Sequence, residues 1–158
     1  MVYMNYAIIT HCAANNLTIS AAESCTGGSF IASLIAVPGA SSVIESSFIT
    51  YANDAKVRYA NVPQDLLDQH GAVSEEVAIA MAKGVRDVAS SSIGVGITGI
   101  AGPSGGSKDK PVGLVYICVS DKKNTIAKKY NFLGNRSWIQ QQTVQAAQTL
   151  LWELLNDL

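Results

Sequence analysis

Two apolar runs, "IGVGITGI" (93–100) and "VGLVYICVS" (112–120), set the tightest limit on how this chain folds. Both are rich in β-branched residues and lack polar alternation, so they suit central strands. Such strands need helices above and below them. The clearest helix is "SEEVAIAMAKGVRDVA" (74–89): Ser74 followed by acids is a good N-cap, and Val77, Ala78, Met81 and Val85 form an inward stripe. A last helix runs from about Ser137 to Leu155, with Ile139, Val144, Ala147, Leu151 and Leu154 pointing in. Tyr3, Tyr6, Ala7, Ile9 and Ala13 recur at roughly helical spacing near the start.

The remaining elements alternate between these. "LTISAAE" (17–23) reads as a short buried strand and "GSFIASLIAV" (28–37) as a helix stopped by Pro38-Gly39. A strand around 43–51 precedes a helix from Asn53, and Pro63 opens a short helical turn closed by Gly71. "TIAKKYNFL" (125–133) alternates enough to be a strand with one wet face. The last three strands follow one another without a helix, so at least one pairs antiparallel. With no linker, repeat or low-complexity tract, residues 1–158 read as one α/β domain, a three-layer α/β/α arrangement around a mixed, mostly parallel sheet.

Charge and cysteines narrow the setting. A net charge of -1 offers no basic footprint for nucleic acid. There is no basic leader, and the apolar run at the N-terminus is too short to span a bilayer, so no membrane partner is expected. Cys12, Cys25 and Cys118 lack CxxC spacing, which predicts reduced thiols in a cytoplasmic protein and no metal site. Charged residues make up only 15%, a sparse surface that favours a homo-oligomer, a dimer first.

Three polar stretches interrupt the pattern. In "AESCTGGS" (22–29) two glycines before a helix free main-chain N–H groups for an anion, and the Ser24 and Thr26 hydroxyls add donors. The plainer alternative is a helix N-cap by Thr26 with glycines for close packing. The spacing is neither GxGxxG nor Walker A, which disfavours a dinucleotide or nucleoside triphosphate. In "ITGIAGPSGGSKDKPVG" (97–113), Thr98, Gly99 and Gly102 lie where a buried strand ends, the usual place for ligand sites in α/β proteins; a mobile connector is the alternative.

The third stretch is "PGASSVIESSFITYANDAK", where Tyr51 and Lys56 flank a strand-to-helix corner. A serine nucleophile needs a base within hydrogen-bond reach. Of the two histidines, His11 lies in a helix and His70 beside Gly71 at a helix end, and there is no GxSxG elbow. A serine with a lysine is the remaining arrangement. It needs a neutral amine, so burial or a nearby cation such as Arg58 must bring Lys56 down from about 10.4. A tyrosine between the two would relay the proton or hold the serine hydroxyl. A solvated lysine and an ordinary strand aromatic are the plain readings of Lys56 and Tyr51.

Taken together, "AESCTGG", "VPGAS", "TYANDAK", "HGAVSEEVAIAMAKG", "ITGIAGPSGG" and "DKPVG" resemble the CinA C-terminal-domain family, the nicotinamide-nucleotide amidohydrolases of the PncC type. The resemblance runs from about residue 5 to 155. It implies deamidation of nicotinamide mononucleotide to nicotinate mononucleotide and ammonia, with a catalytic serine, lysine and tyrosine and no metal or other cofactor. It places the serine of "PGAS" at Ser41, beside Ser42, and the tyrosine and lysine at Tyr51 and Lys56. By the same likeness Ser24, Thr98 and Arg136 hold the substrate, joined by Thr26, Gly27, Gly99 and Gly102 of the two glycine-containing stretches. One segment departs from the pattern: "GNRSWIQQQ" keeps Arg136, but Asn135 replaces an acid and Gln140 and Gln141 stand where arginines are common.

Overall fold

The two apolar runs do form inner strands. The computed structural model describes residues 2–157. Its elements in chain order are α1 (Val2–Ala14), β1 (Ile19–Glu23), α2 (Ser29–Ile35), a 3-10 turn (Ala40–Ser42), β2 (Ile44–Ile49), α3 (Asn53–Ala60), α4 (Gln64–His70), α5 (Glu75–Ala89), β3 (Ile93–Gly99), β4 (Leu114–Ser120), β5 (Thr125–Asn131) and α6 (Arg136–Asn156). Every predicted element is present, with boundaries moved by a few residues. Among the described residues no helix is long and apolar enough to cross a membrane.

The five strands lie in the order β2-β1-β3-β4-β5. Strand β1 is parallel to both β2 and β3, each reached through helical crossovers. Strand β4 pairs antiparallel with β3 and with β5, because the links between them contain no helix to carry the chain back. Only β4 therefore runs against the others, and the sheet is mixed but mostly of one direction. Strand β1 is buried along its whole length, whereas the edge strand β5 exposes much of one face.

Helices cover both faces. On one side α1, α2 and α6 bury Ile8, Phe30, Leu34, Leu150 and Leu154 against Ile19, Val95 and Ile117. On the other, Val77, Met81 and Val85 of α5 pack with Ala22 of β1, Ala60 of α3 and Leu67 of α4. The inward stripes expected for α5 and α6 are buried.

The carboxyl ends of β1, β2 and β3 share one edge of the sheet. The chain leaves β1 first toward β2 and later returns to its other side as β3, which opens a crevice beyond the strand ends. The depth of that side depends on how closely α5 approaches its neighbours. A Cβ added at Gly84 of α5 would lie 1.6 Å from the Ala60 carbonyl oxygen, and one at Gly96 of β3 would lie 2.3 Å from the Ala78 carbonyl oxygen.

Helix propensity alone favours alanine over glycine inside a helix by about 1 kcal/mol. At Gly84 the backbone contact reverses that sign. Gly84→Ala is expected to destabilise the fold by about 2 kcal/mol or more, as overpacked interiors do, which urea denaturation measures. A variant as stable as the parent would show that α3 can move away from α5 at little cost.

Candidate active site

The site is assembled where the three parallel strands end. Past β1, Ser24 N–H donates to the Ile97 carbonyl of β3 at 3.0 Å, and Thr50 N–H donates back to the Glu23 carbonyl at 2.8 Å. These bonds carry the sheet one residue beyond its strands and bring Ser24 and Thr50 together. Lys56 follows on α3, one turn beyond the helix start, and its side chain turns inward. It is only 1% exposed, among the largest fully buried side chains of the protein. Its Nζ donates to the Thr50 carbonyl at 2.7 Å and lies 3.3 Å from Ser24 Oγ. Burial pulls its pKa below the ordinary value, opposed by the neighbouring Cys25.

Around this pair lies a cleft of about 220 Å³, with Ser24, Tyr51, Asn53, Lys56, Thr98 and Arg136 in its wall. Thr98 Oγ1 donates to the Ala72 carbonyl at 2.7 Å and so pins the loop that closes one side. Arg136, in the first turn of α6, donates to the Gly102 carbonyl at 2.8 Å and to the Tyr51 hydroxyl at 3.0 Å. Arg136 and Lys56 are the cationic side chains of the wall, and no carboxylate lines it. The arrangement suits an electrophile presented to Ser24 and an anionic group held near Arg136.

The structure separates Ser41 from Lys56 and Tyr51. Ser41 sits on the 3-10 turn before β2, exposed, in a different cleft with Ile35, Pro38 and Ile44. Lys56 follows the opposite end of that strand. A six-residue strand spans roughly 20 Å, far beyond proton-transfer reach. Ser42 is no nearer, and its hydroxyl donates to the Gly39 carbonyl. The serine beside the lysine is Ser24. Tyr51 also differs from expectation: its hydroxyl meets Arg136 rather than bridging serine and lysine. Arg58 pairs with Asp54 at 2.7 Å, so burial rather than a cation depresses Lys56.

The expected anion cradle before α2 is already filled by the chain itself. Glu23, with no exposed surface, accepts hydrogen bonds from Thr26 Oγ1 at 2.6 Å, Gly28 N–H and Phe30 N–H at 3.1 Å and Ile31 N–H at 3.0 Å. Thr26 therefore faces inward to a carboxylate, and Gly27 is exposed at a φ of +58° that lets the chain turn. Neither joins the wall of the cleft. Thr26 does not cap α2 either, because Glu23 satisfies those amides. An acid closing a buried strand just before "TGG" was the available signal for this role. Ser24, Thr98, Gly99 and Arg136 do come together, and the Gly102 carbonyl holds Arg136. Cys25 lies beside them, but burial pushes its thiol up to about 12, so it is no nucleophile at neutral pH.

Comparison with known proteins agrees with this architecture. The CinA C-terminal domain matches residues 3–155. The chain belongs to that family. A CinA-like protein of Geobacter metallireducens is 49% identical over 136 residues, which cover 86% of this chain and 32% of that protein. A competence-damage inducible protein of Moorella thermoacetica is 46% identical over 143 residues, covering 90% of this chain and 34% of the other. The chain thus spans about a third of the length of these curated CinA relatives. Among solved structures, the competence/damage inducible protein of Agrobacterium tumefaciens superposes with a TM-score of 0.95 at 37% identity, covering 98% of this chain and 94% of its own.

Buried Lys56 couples this CinA site to stability through pH. Its folded-state pKa lies below the ordinary 10.5. Between the two values the unfolded chain binds a proton that the fold rejects, so this group makes stability rise with pH toward 10.5. The stability gap between wild type and Lys56→Met is therefore expected to shift in favour of the wild type as pH rises from neutrality. Denaturant titrations of both proteins across that range measure it. Parallel profiles would show that Lys56 keeps an ordinary proton affinity in the fold.

Proposed function

We propose that the domain hydrolyses the carboxamide of nicotinamide mononucleotide to nicotinate mononucleotide and ammonia, with Ser24 as nucleophile and Lys56 as its base. The observation that carries this reading is the buried Lys56 amine 3.3 Å from Ser24 Oγ, inside a cleft that also holds Arg136. A neutral amine there keeps one N–H on the Thr50 carbonyl and turns its lone pair to the Ser24 hydroxyl. The pyridinium ring of the substrate withdraws electrons from its amide and adds a positive charge that further disfavours protonated Lys56.

The chemistry then balances within the site. Ser24 Oγ bonds to the carboxamide carbon, its proton passes to Lys56 Nζ, and the carbonyl π pair moves onto oxygen. Collapse expels the amine, which leaves as ammonia with the proton returned by Lys56. Water then gives its proton to Lys56 Nζ and adds to the ester carbon. Collapse breaks the carbon–Oγ bond, with Lys56 returning the proton to Ser24 Oγ as the acid leaves. Tyr51 accepts a hydrogen bond from Arg136 and so keeps its own O–H proton for the substrate. Arg136 meets the phosphate.

One observation favours a second reading. In "GNRSWIQQQ" Gln140 and Gln141 stand where arginines are common and the remaining Arg136 is already engaged by Gly102 and Tyr51, which suits a module that keeps the pocket without useful turnover. Ammonia release and calorimetric binding, measured together on nicotinamide mononucleotide, separate the two.

Ser24→Ala is expected to lower kcat by roughly a thousandfold or more with binding retained, and Ser41→Ala to stay near wild type. Lys56→Arg should be nearly inactive, since a guanidinium does not give up its proton. A dead Ser41→Ala beside an active Ser24→Ala would overturn the nucleophile, and tight binding without ammonia in the parent would leave the second reading.

A further inference from the structure

We infer that Gln140 is a positioning residue: it locks the turn whose Cys25 main-chain N–H faces the oxyanion formed when Ser24 attacks. This rests on the Ser24 reading above. The residue after a serine nucleophile is a common source of such a donor, and here the hydrogen bonds around it are unusually constraining. Ser24 N–H is taken by the Ile97 carbonyl, and the Ser24 carbonyl accepts from Gly27 N–H at 3.1 Å. The Cys25 carbonyl accepts from Gln140 Nε2 at 2.9 Å, across 115 positions of sequence. A peptide unit is planar and trans, so the Ser24 carbonyl held by Gly27 sets the direction of the Cys25 N–H. The Cys25 carbonyl held by Gln140 fixes the next plane, which carries the Thr26 N–H. Both planes that flank the Cys25 α-carbon are thus held by their oxygens.

Two N–H groups are left over, those of Cys25 and Thr26, and of these residues only Cys25 borders the cleft. Among the described residues the Cys25 N–H donates to no protein acceptor, although Cys25 is only 4% exposed. Leaving a buried N–H unpaired is costly in an ordinary turn. It is useful where negative charge develops only during a reaction.

Gln140 reaches the turn from α6, four residues after Arg136 and on the same face. One helix face therefore holds three loops: the turn at Cys25, the loop at Gly102 and the corner at Tyr51. On its other side Gln140 borders a cleft with Ser29, Ser137 and Gln141, where no charged side chain competes for its amide.

A residue that only braced the fold would change stability and leave chemistry alone, so the test reads the chemical step without the nucleotide. A fluorophosphonate probe reacts when Ser24 Oγ displaces fluoride at phosphorus and Lys56 takes the proton, with negative charge building on the phosphoryl oxygen. Labelling at Ser24 is followed by intact mass and peptide mapping. Gln140→Leu, which has no donor, and Gln140→Glu, which offers an acceptor, should label about tenfold or more slowly. Gln140→Arg, which keeps an N–H donor, should recover most of the rate. With nicotinamide mononucleotide the loss should fall on kcat, with KM little changed.

Wild-type labelling rates in a folded Gln140→Leu protein would overturn the inference, as would an equal loss in Gln140→Arg. Absence of Ser24 labelling in the parent would overturn it together with the Ser24 mechanism. The expected labelling pattern without ammonia release would support the inference and overturn only the choice of substrate.

Discussion

The Glu23 carboxylate is the interaction on which the site depends. It closes β1, is wholly buried, and is tied to four donors at the start of α2. A buried charge is tolerated only when its lone pairs are satisfied, and here the helix dipole adds to the hydrogen bonds. The result is a rigid link between the middle of the sheet and the next helix. Ser24 and Cys25 are the residues inside that link, so their geometry is set by an ion that takes no part in chemistry.

Lys56 is the second buried charge-bearing group, and its situation is the opposite. Glu23 is satisfied by four donors, whereas Lys56 has one carbonyl and one hydroxyl. Burial with so few partners penalises the charged form of Lys56. Two groups of opposite type, near each other at the same strand ends, are thus given different tasks by solvation alone. The site achieves this with few residues because Thr50 and Ser24 already face one another across the extended β1–β2 pairing.

The fold was largely legible in the sequence because its signals are local. Apolar runs marked β3 and β4, the Ser74 cap marked α5, and the missing helix after β3 disclosed the antiparallel half. The candidate site was legible where its residues lie at a strand end or near the start of a helix, as with Thr98, Lys56 and Arg136. It was not legible where the contact is long-range. Nothing in "PGASS" shows that the serine lies at the wrong end of β2, since strand length matters only once the strand is placed in the sheet. Nothing in "TGG" shows that the donors of α2 already have an acceptor five residues and more upstream. Gln140 looked like a lost arginine until its amide was found on the Cys25 carbonyl.

The two halves of α6 are held by different forces. Its later turns sink Leu150, Leu151 and Leu154 into the core, while its first turn exposes Arg136, Ser137 and Trp138 and is held mainly through polar contacts. Fraying of Arg136, Ser137 and Trp138, as far as the buried Ile139, therefore exposes little apolar surface and costs only part of the global free energy of unfolding. Such fraying would release the loop at Gly102 and the corner at Tyr51 together, while the sheet, the core and the Gln140 contact persist. The cleft would then lose its Arg136 wall on heating before the cooperative transition, with the sheet amides still protected from exchange.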